Sequence, residues 1–123
     1  MTVVEQDGQC VVLDAGLAFP RDEHLGVDLI LPDFSYLAEG GVSVRAVVLT
    51  HAHEDHVGAL PYLLREVRVP EVWATRLTLG LVKSKLDEHG LLRASELREI
   101  DPERPELARR VVRMHLAQLC RSQ

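Results

Sequence analysis

His51, His53, Asp55 and His56 fall within six residues, directly after the apolar run Val44 to Leu49. Neutral imidazole and carboxylate are ligand types that zinc favours. Residues two apart lie on the same side of an extended chain, so His51 and His53 can reach one ion together. Asp55 and His56 come after the chain bends and can face a second ion, while Glu54 between them is expected to point away. Two adjacent cations that share a water turn it into a hydroxide nucleophile near neutral pH. The plain alternative is a polar loop that happens to be rich in histidine. Three of the six histidines in the chain crowd into this loop beside an aspartate, which favours metal binding.

The elements that must carry this cluster read as alternating strands and helices. Val3 to Glu5 and Cys10 to Leu13 flank Asp7-Gly8, a strong hairpin signal. Asp14-Ala15-Gly16 ends the second strand, and Phe19 to Gly26 with Pro20 reads as an irregular loop. Asp28 to Leu31 is a short apolar segment before Pro32-Asp33, a helix start or turn. Gly40-Gly41 breaks the chain ahead of a strand over Val44 to Thr50. Gly58 to Arg65 predicts a short helix with Pro61 in its first turn. Its apolar stripe is Leu60, Leu63, Leu64 and Val67. Val72 to Ala74 predicts another strand, with Trp73 in the core. Arg76 to Glu88 is the clearest helix: Leu77, Leu81, Val82 and Leu86 have helical spacing, and Gly90 is its stop.

Length and composition bound the class. A chain of 123 residues is one domain at most and can bury a real core. Its apolar runs are too short to span a bilayer, and its N-terminus lacks a basic-then-apolar leader pattern, so a cytoplasmic location is expected and no membrane partner. Two cysteines, Cys10 and Cys120, do not make a disulfide framework; Cys10 among valines reads as a buried strand residue. The net charge of −5, with no basic stripe before residue 100, runs against the basic grooves that hold nucleic acid. Bound cations would add local positive charge, but most of a nucleic-acid groove would have to come from elsewhere.

His-x-His-x-Asp-His after a buried strand resembles the signature of the metallo-β-lactamase fold, and the flanks narrow the match. Val47 to Leu64 is similar to ribonuclease J of the β-CASP branch, as are Leu13 to Pro20, Leu25 to Asp33 and Thr75 to Val82. The similarity runs from about Met1 to Leu92. It implies an α/β chain, part of an αββα metallo-β-lactamase sandwich. It also implies a two-zinc phosphodiesterase acting on RNA, both as a 5′-to-3′ exonuclease and as an endonuclease; manganese is possible where oxygen ligands complete the site. In this resemblance His51 and His53 bind one ion, Asp55 and His56 bind the other, and Asp55 also orients the attacking hydroxide. Asp14 matches the position that supports the metal loop by hydrogen bonding; its rival reading is a plain strand-ending turn aspartate. Asp28 and Asp33 read as turn and capping residues, His24 as a solvated loop residue, and His89 as a helix-ending imidazole suited to the dipole. RNA is the implied partner and DNA is not expected. The family forms homo-oligomers, partly through regions that do not correspond to this chain.

The two ends depart from the family pattern. The expected layout is a partial metallo-β-lactamase domain over 1–95 that lacks the first strand and the C-terminal half. A divergent, helical tail over 96–123 follows, with no β-CASP domain. Glu106 to Leu119 reads as an amphipathic helix. His115 falls near the place of the family's third zinc-binding histidine but lacks its Ser and Asp neighbours, so it is a weak candidate ligand and a helix-surface histidine is the better reading. A bridging aspartate and a late histidine have no counterpart here. A shifted reading frame would leave such a tail, which resequencing the coding DNA through codons 95 to 123 and beyond tests. On this reading the chain is a piece of a ribonuclease J-like enzyme and inactive alone. The alternatives are a non-catalytic metal-binding remnant or a small-molecule metallo-hydrolase of the same superfamily, such as a thioesterase or lactonase.

Overall fold

The computed structural model describes residues 1–104 and 106. The chain opens with a hairpin, β1 (Thr2–Gln6) and β2 (Gln9–Leu13), paired so that Gln6 faces Gln9. The two residues between them, Asp7 and Gly8, have φ of 52° and 74°. Two positive φ values in a row give the turn that matches the twist of paired strands, and Asp-Gly meets that demand at low cost. After β2 every further strand runs parallel to its neighbour: β3 (Ser43–Val48), β4 (Glu71–Thr75) and β5 (Glu96–Ile100), in the order β1-β2-β3-β4-β5.

Parallel strands need crossovers, and helices supply them. The β2–β3 crossover carries α1 (Ser35–Glu39). The β3–β4 crossover carries α2 (Glu54–Val57) and α3 (Leu60–Glu66), and α4 (Arg76–Glu88) joins β4 to β5. The central strands are covered on both faces. Cys10, Val11 and Val12 in β2 are all buried, as are the adjacent Ala46 and Val47 in β3. These continuous apolar runs are what parallel strands need. Leu60 and Leu63 of α3 and Val82 and Leu86 of α4 close the core against Val12, Val47 and Val72. Among the described residues no helix is long and apolar enough to cross a membrane.

The elements expected from sequence form at or near their expected places, and Pro61 lies in the first turn of α3. Gly90, at φ 69°, ends α4 while Leu91 N–H bonds back to Leu86 O at 2.7 Å. Asp33 accepts from the Ser35 backbone N–H at 2.9 Å, a turn just ahead of α1, whose N-cap is Phe34, whereas Asp28 is exposed.

Three expectations need correction. The stretch 96–100 is a strand, not the start of a helical tail. Glu96 N–H bonds to Pro70 O at 2.9 Å and Ser95 Oγ to Val69 O at 2.6 Å, which starts β5 alongside β4. Glu71 and Glu96 then face each other, and Arg98 lies between them, 3.7 Å from one and 3.0 Å from the other. Asp101 to Arg104 form a turn, with Arg104 N–H on Asp101 O at 3.1 Å, and of the expected helix over Glu106 to Leu119 only Glu106 lies within the described residues. On α4 the buried face is Thr78, Leu79, Val82 and Leu86, while Leu77 and Leu81 are 79% and 55% exposed. Two leucine stripes compete on this helix. The Thr75 hydroxyl, bonded at 3.1 Å to that of Thr78, accompanies the rotation that turns Thr78 inward. Trp73 is only half-buried, because its indole N–H reaches Glu71 Oε2 at 2.9 Å rather than entering the core. His89 is the C-cap of α4, as expected, and the Arg65 guanidinium donates to its Nδ1 at 3.2 Å.

Candidate metal centre

The histidine cluster sits outside the carboxyl ends of β2 and β3, the place where ligands bind in parallel sheets. Pairing continues one residue past each strand: Asp14 N–H bonds to Val48 O at 3.0 Å, and Leu49 N–H to Trp73 O at 2.8 Å. The chain therefore leaves the sheet at Thr50, on a backbone held from both sides. Thr50 and His51 run out from the sheet, and His53 is the extended residue that precedes α2. Its carbonyl accepts from the N–H groups of His56 and Val57 at 2.8 and 3.0 Å.

The short segment after β2 clasps this turn. Ala15 N–H bonds to His56 O at 2.7 Å, Leu17 N–H to Glu54 O at 3.1 Å, and Ala59 N–H to Ala15 O at 2.8 Å. Such close approach requires glycine: a Cβ on Gly16 would stand 1.6 Å from the Asp55 carbonyl oxygen. Gly58 is similarly confined, with Glu54 Oε2 2.5 Å and Leu17 Cγ 2.6 Å from where its Cβ would be.

His51, His53 and Asp55 converge, each offering a ligand atom within 4.8 Å of the others. The His51 and His53 rings meet edge to face at 4.7 Å, and the His51 and His56 rings lie 3.9 Å apart. His56 Nε2 is 3.4 Å from Asp55 Oδ2, so Asp55 stands between the pair His51–His53 and His56. Ligand atoms on a tetrahedral zinc are about 3.4 Å apart, given bonds of about 2.1 Å. Small side-chain rotations bring these donors to that spacing, and the donor types suit zinc, so the residues fit a divalent ion.

Beneath the cluster, Asp14 gathers donors. Its Oδ1 accepts from Thr50 N–H at 2.8 Å, its Oδ2 lies 2.9 Å from His56 Nδ1, and the Thr50 hydroxyl is 2.9 Å from Oδ2. Burial alone would raise this carboxyl; the bonds from the Thr50 backbone, His56 and the Thr50 hydroxyl, with the charge of His56, outweigh it and hold Asp14 below the usual carboxylate range. An ionised carboxylate only accepts, so His56 donates from Nδ1 and Thr50 donates its single hydroxyl proton. Thr50 Oγ1 must then accept from His51 Nδ1, 2.9 Å away. In the neutral form that a metal binds, these bonds place each ring's proton on Nδ1 and leave Nε2 as the ligand atom.

Asp14 has φ 58°, a left-handed conformation that aspartate tolerates better than most residues. Glu54 turns away from the cluster and pairs with Lys85 Nζ at 2.7 Å. A cleft of about 490 Å³ lies at the opposite end of β3 beside Val44, Arg45 and Arg68, away from the histidines. His115 lies outside the described residues. His24 is exposed and accepts from Arg21 N–H at 3.0 Å. Sequence reasoning passed over Thr50 and Gly16. The signal for Thr50 was a hydroxyl placed directly between a strand and a ligand histidine. The signal for Gly16 was a glycine two residues after the supporting aspartate.

The model for the metallo-beta-lactamase superfamily matches residues 1–111. Ribonuclease J of Helicobacter pylori (strain ATCC 700392 / 26695) is 48% identical over 91 residues, which are 74% of this chain and 13% of that protein. Ribonuclease J 1 of Streptococcus pyogenes serotype M3 is 42% identical over 98 residues, 80% of this chain and 17% of the relative. Ribonuclease J2 of Bacillus subtilis is 46% identical over 98 residues, 80% of this chain and 18% of the relative. The chain thus spans less than a fifth of the length of each of these three relatives. With its five-stranded sheet and helices consistent with part of that fold, the chain belongs to the metallo-beta-lactamase superfamily and is similar there to ribonuclease J.

Proposed function

We propose that this chain supplies the metal-binding loop of a ribonuclease J-like hydrolase that cleaves RNA phosphodiester bonds. The observation that carries the reading is the convergence of His51, His53 and Asp55, with His56 fixed beside them by Asp14. His51 and His53 would hold one ion, and His56 a second, with Asp55 within reach of both. When bound, such ions supply Lewis-acid polarisation of a phosphoryl oxygen and acidify a nearby water. Zinc suits the nitrogen donors, and manganese would suit a site completed by oxygen.

The chain's own residues have defined parts. Thr50 and Asp14 engage the Nδ1 atoms of His51 and His56 and so leave Nε2 as the ligand atom of each ring. The exposed Asp55 carboxylate, with its side chain 70% accessible, is open to accept a hydrogen bond from a water and orient it toward phosphorus. Clasping of the turn by Ala15 and Leu17 preserves this geometry before any ligand arrives, which lowers the reorganisation a reaction would require. RNA as the substrate, the 5′-to-3′ exonucleolytic and endonucleolytic modes, assembly into homo-oligomers and a cytoplasmic location belong to the same proposal.

The test measures zinc retained after dialysis by plasma mass spectrometry, and then cleavage of 5′-monophosphorylated RNA and of a thioester. Near-stoichiometric zinc that is lost in H51A/H53A, with RNA cleaved and the thioester untouched, supports the reading. Zinc bound without turnover of either substrate leaves the chain as a metal-binding piece that is inactive alone. Thioester cleavage alone replaces it with a small-molecule hydrolase. A chain that retains no metal removes the metal-centre reading altogether.

A further inference from the structure

Glu54 occupies an awkward place: it is a second carboxylate-bearing position inside the ligand run, between His53 and Asp55. Its backbone carbonyl is doubly engaged there, accepting from Leu17 N–H at 3.1 Å and Gly58 N–H at 2.9 Å. Its side chain runs back over Gly58, where any Cβ would stand 2.5 Å from Oε2. It ends against α4, Oε1 lying 2.7 Å from Lys85 Nζ. Lys85 is 25% exposed and Glu54 44%, on the wall of a cleft of about 230 Å³ formed with Ala52, Leu81, Ser84 and Glu88. Lys85 sits in the third turn of α4, a 13-residue helix anchored in the core by Val82 and Leu86. The pair therefore ties the four-residue helix α2, too short to hold its own shape, to a rigid one.

We propose that Lys85 is a positioning residue for the metal-binding turn: by holding the Glu54 carboxylate against α4 it sets the orientation of α2 and keeps Glu54 out of the ligand set. Gly58 completes the device, because only a residue without a side chain lets that carboxylate pass. This inference rests on the metal-centre reading above.

The experiment compares the full chain with K85M, which keeps the apolar stem without the charge, with K85R, with E54Q and with the double variant E54Q/K85M. Zinc dissociation constants are read by competition with a chromophoric chelator, and amide exchange at His56, Val57 and Gly58 is read in the metal-free state. K85M and E54Q should each weaken zinc about threefold to fivefold, the range of a partly exposed ion pair. The double variant should be no worse than either single one, since both remove one interaction. K85R should stay within about twofold of the parent. The same variants should accelerate exchange of the three amides by a similar factor. Zinc affinity unchanged in K85M, or single effects that multiply in the double variant, overturns the proposal. Should the parent chain take up no zinc, the metal-centre reading fails. The exchange comparison then decides the tether alone, and equal rates in K85M and the parent sink it.

Discussion

Nδ1 of His56 lies 2.9 Å from Oδ2 of Asp14, a bond between residues 42 positions apart. It joins the end of β2 to the turn after β3, and so makes the position of one ligand depend on the neighbouring strand. Asp14 adopts φ 58° to do this, a conformation retained where several bonds over-determine it. Removing the carboxylate frees both Thr50 and His56. D14A is therefore expected to weaken zinc binding about 10-fold to 100-fold, the usual cost of losing a partner that orients a ligand histidine. D14N keeps one acceptor oxygen and should fall between D14A and the parent. Chelator competition on the three proteins checks the order, and equal affinities would show that Asp14 supports only the fold.

Gly16 passes so close to the turn that a methyl group there would overlap the Asp55 carbonyl oxygen, 1.6 Å away. The clash is with backbone, which cannot rotate aside as a side chain can. G16A is expected to lower stability by about 2–3 kcal/mol, at the upper part of the range for overpacking, and to weaken metal binding as the two segments part. Urea unfolding in the presence of a chelator measures the first effect separately from the second. A midpoint within error of the parent would mean that the turn moves freely away from the β2 end.

The ligand cluster was legible because its information is local: His51, His53, Asp55 and His56 stand together in sequence and their residue types name the chemistry. The hairpin was legible for the same reason, since Asp7-Gly8 states its own turn. What the sequence hid is set by tertiary packing. The α4 helix carries leucines on two faces, and periodicity alone does not say which one enters the core; the exit from β4 decides, and Leu77 is left outside. The strand β5 sets Leu97 and Ile100 among three charged residues with no apolar alternation, too weak a pattern to stand out before β4 is there to pair with it. Thr50 was passed over because its role is a matter of which proton goes where, and it appears only once Asp14 and His51 are placed on either side of it.

The two leucine faces of α4 provide a test of their own. Leu86 is fully buried, whereas Leu77 is 79% exposed. L86A should cost about 2–5 kcal/mol, the transfer and cavity penalty of a core leucine. L77Q should change stability by no more than about 0.5 kcal/mol, as surface substitutions do. Paired denaturation curves check both. A large loss in L77Q would reveal that this face is covered in solution.

Cys10 lies wholly buried in β2, and burial, with the nearby charge of Glu5 adding, pushes its thiol up to about 11. An unfolded cysteine titrates near 8.5, so between that value and about 11 the unfolded chain has lost a proton that the folded chain keeps. Stability must then fall as pH rises across this window, by at most about 1.4 kcal/mol per pH unit from this group. Below pH 8 the thiol is protonated in both states and contributes no slope. In a C120S background, Cys10 should resist thiol reagents at pH 8 in the native chain and react at once in denaturant, since only the thiolate is nucleophilic. C10A should flatten the decline in stability between pH 8.5 and 11 relative to C120S alone, at the expense of a small cavity. Rapid native-state labelling at pH 8, or an unchanged alkaline slope in C10A, would show that β2 opens far more readily than its packing between β1 and β3 implies.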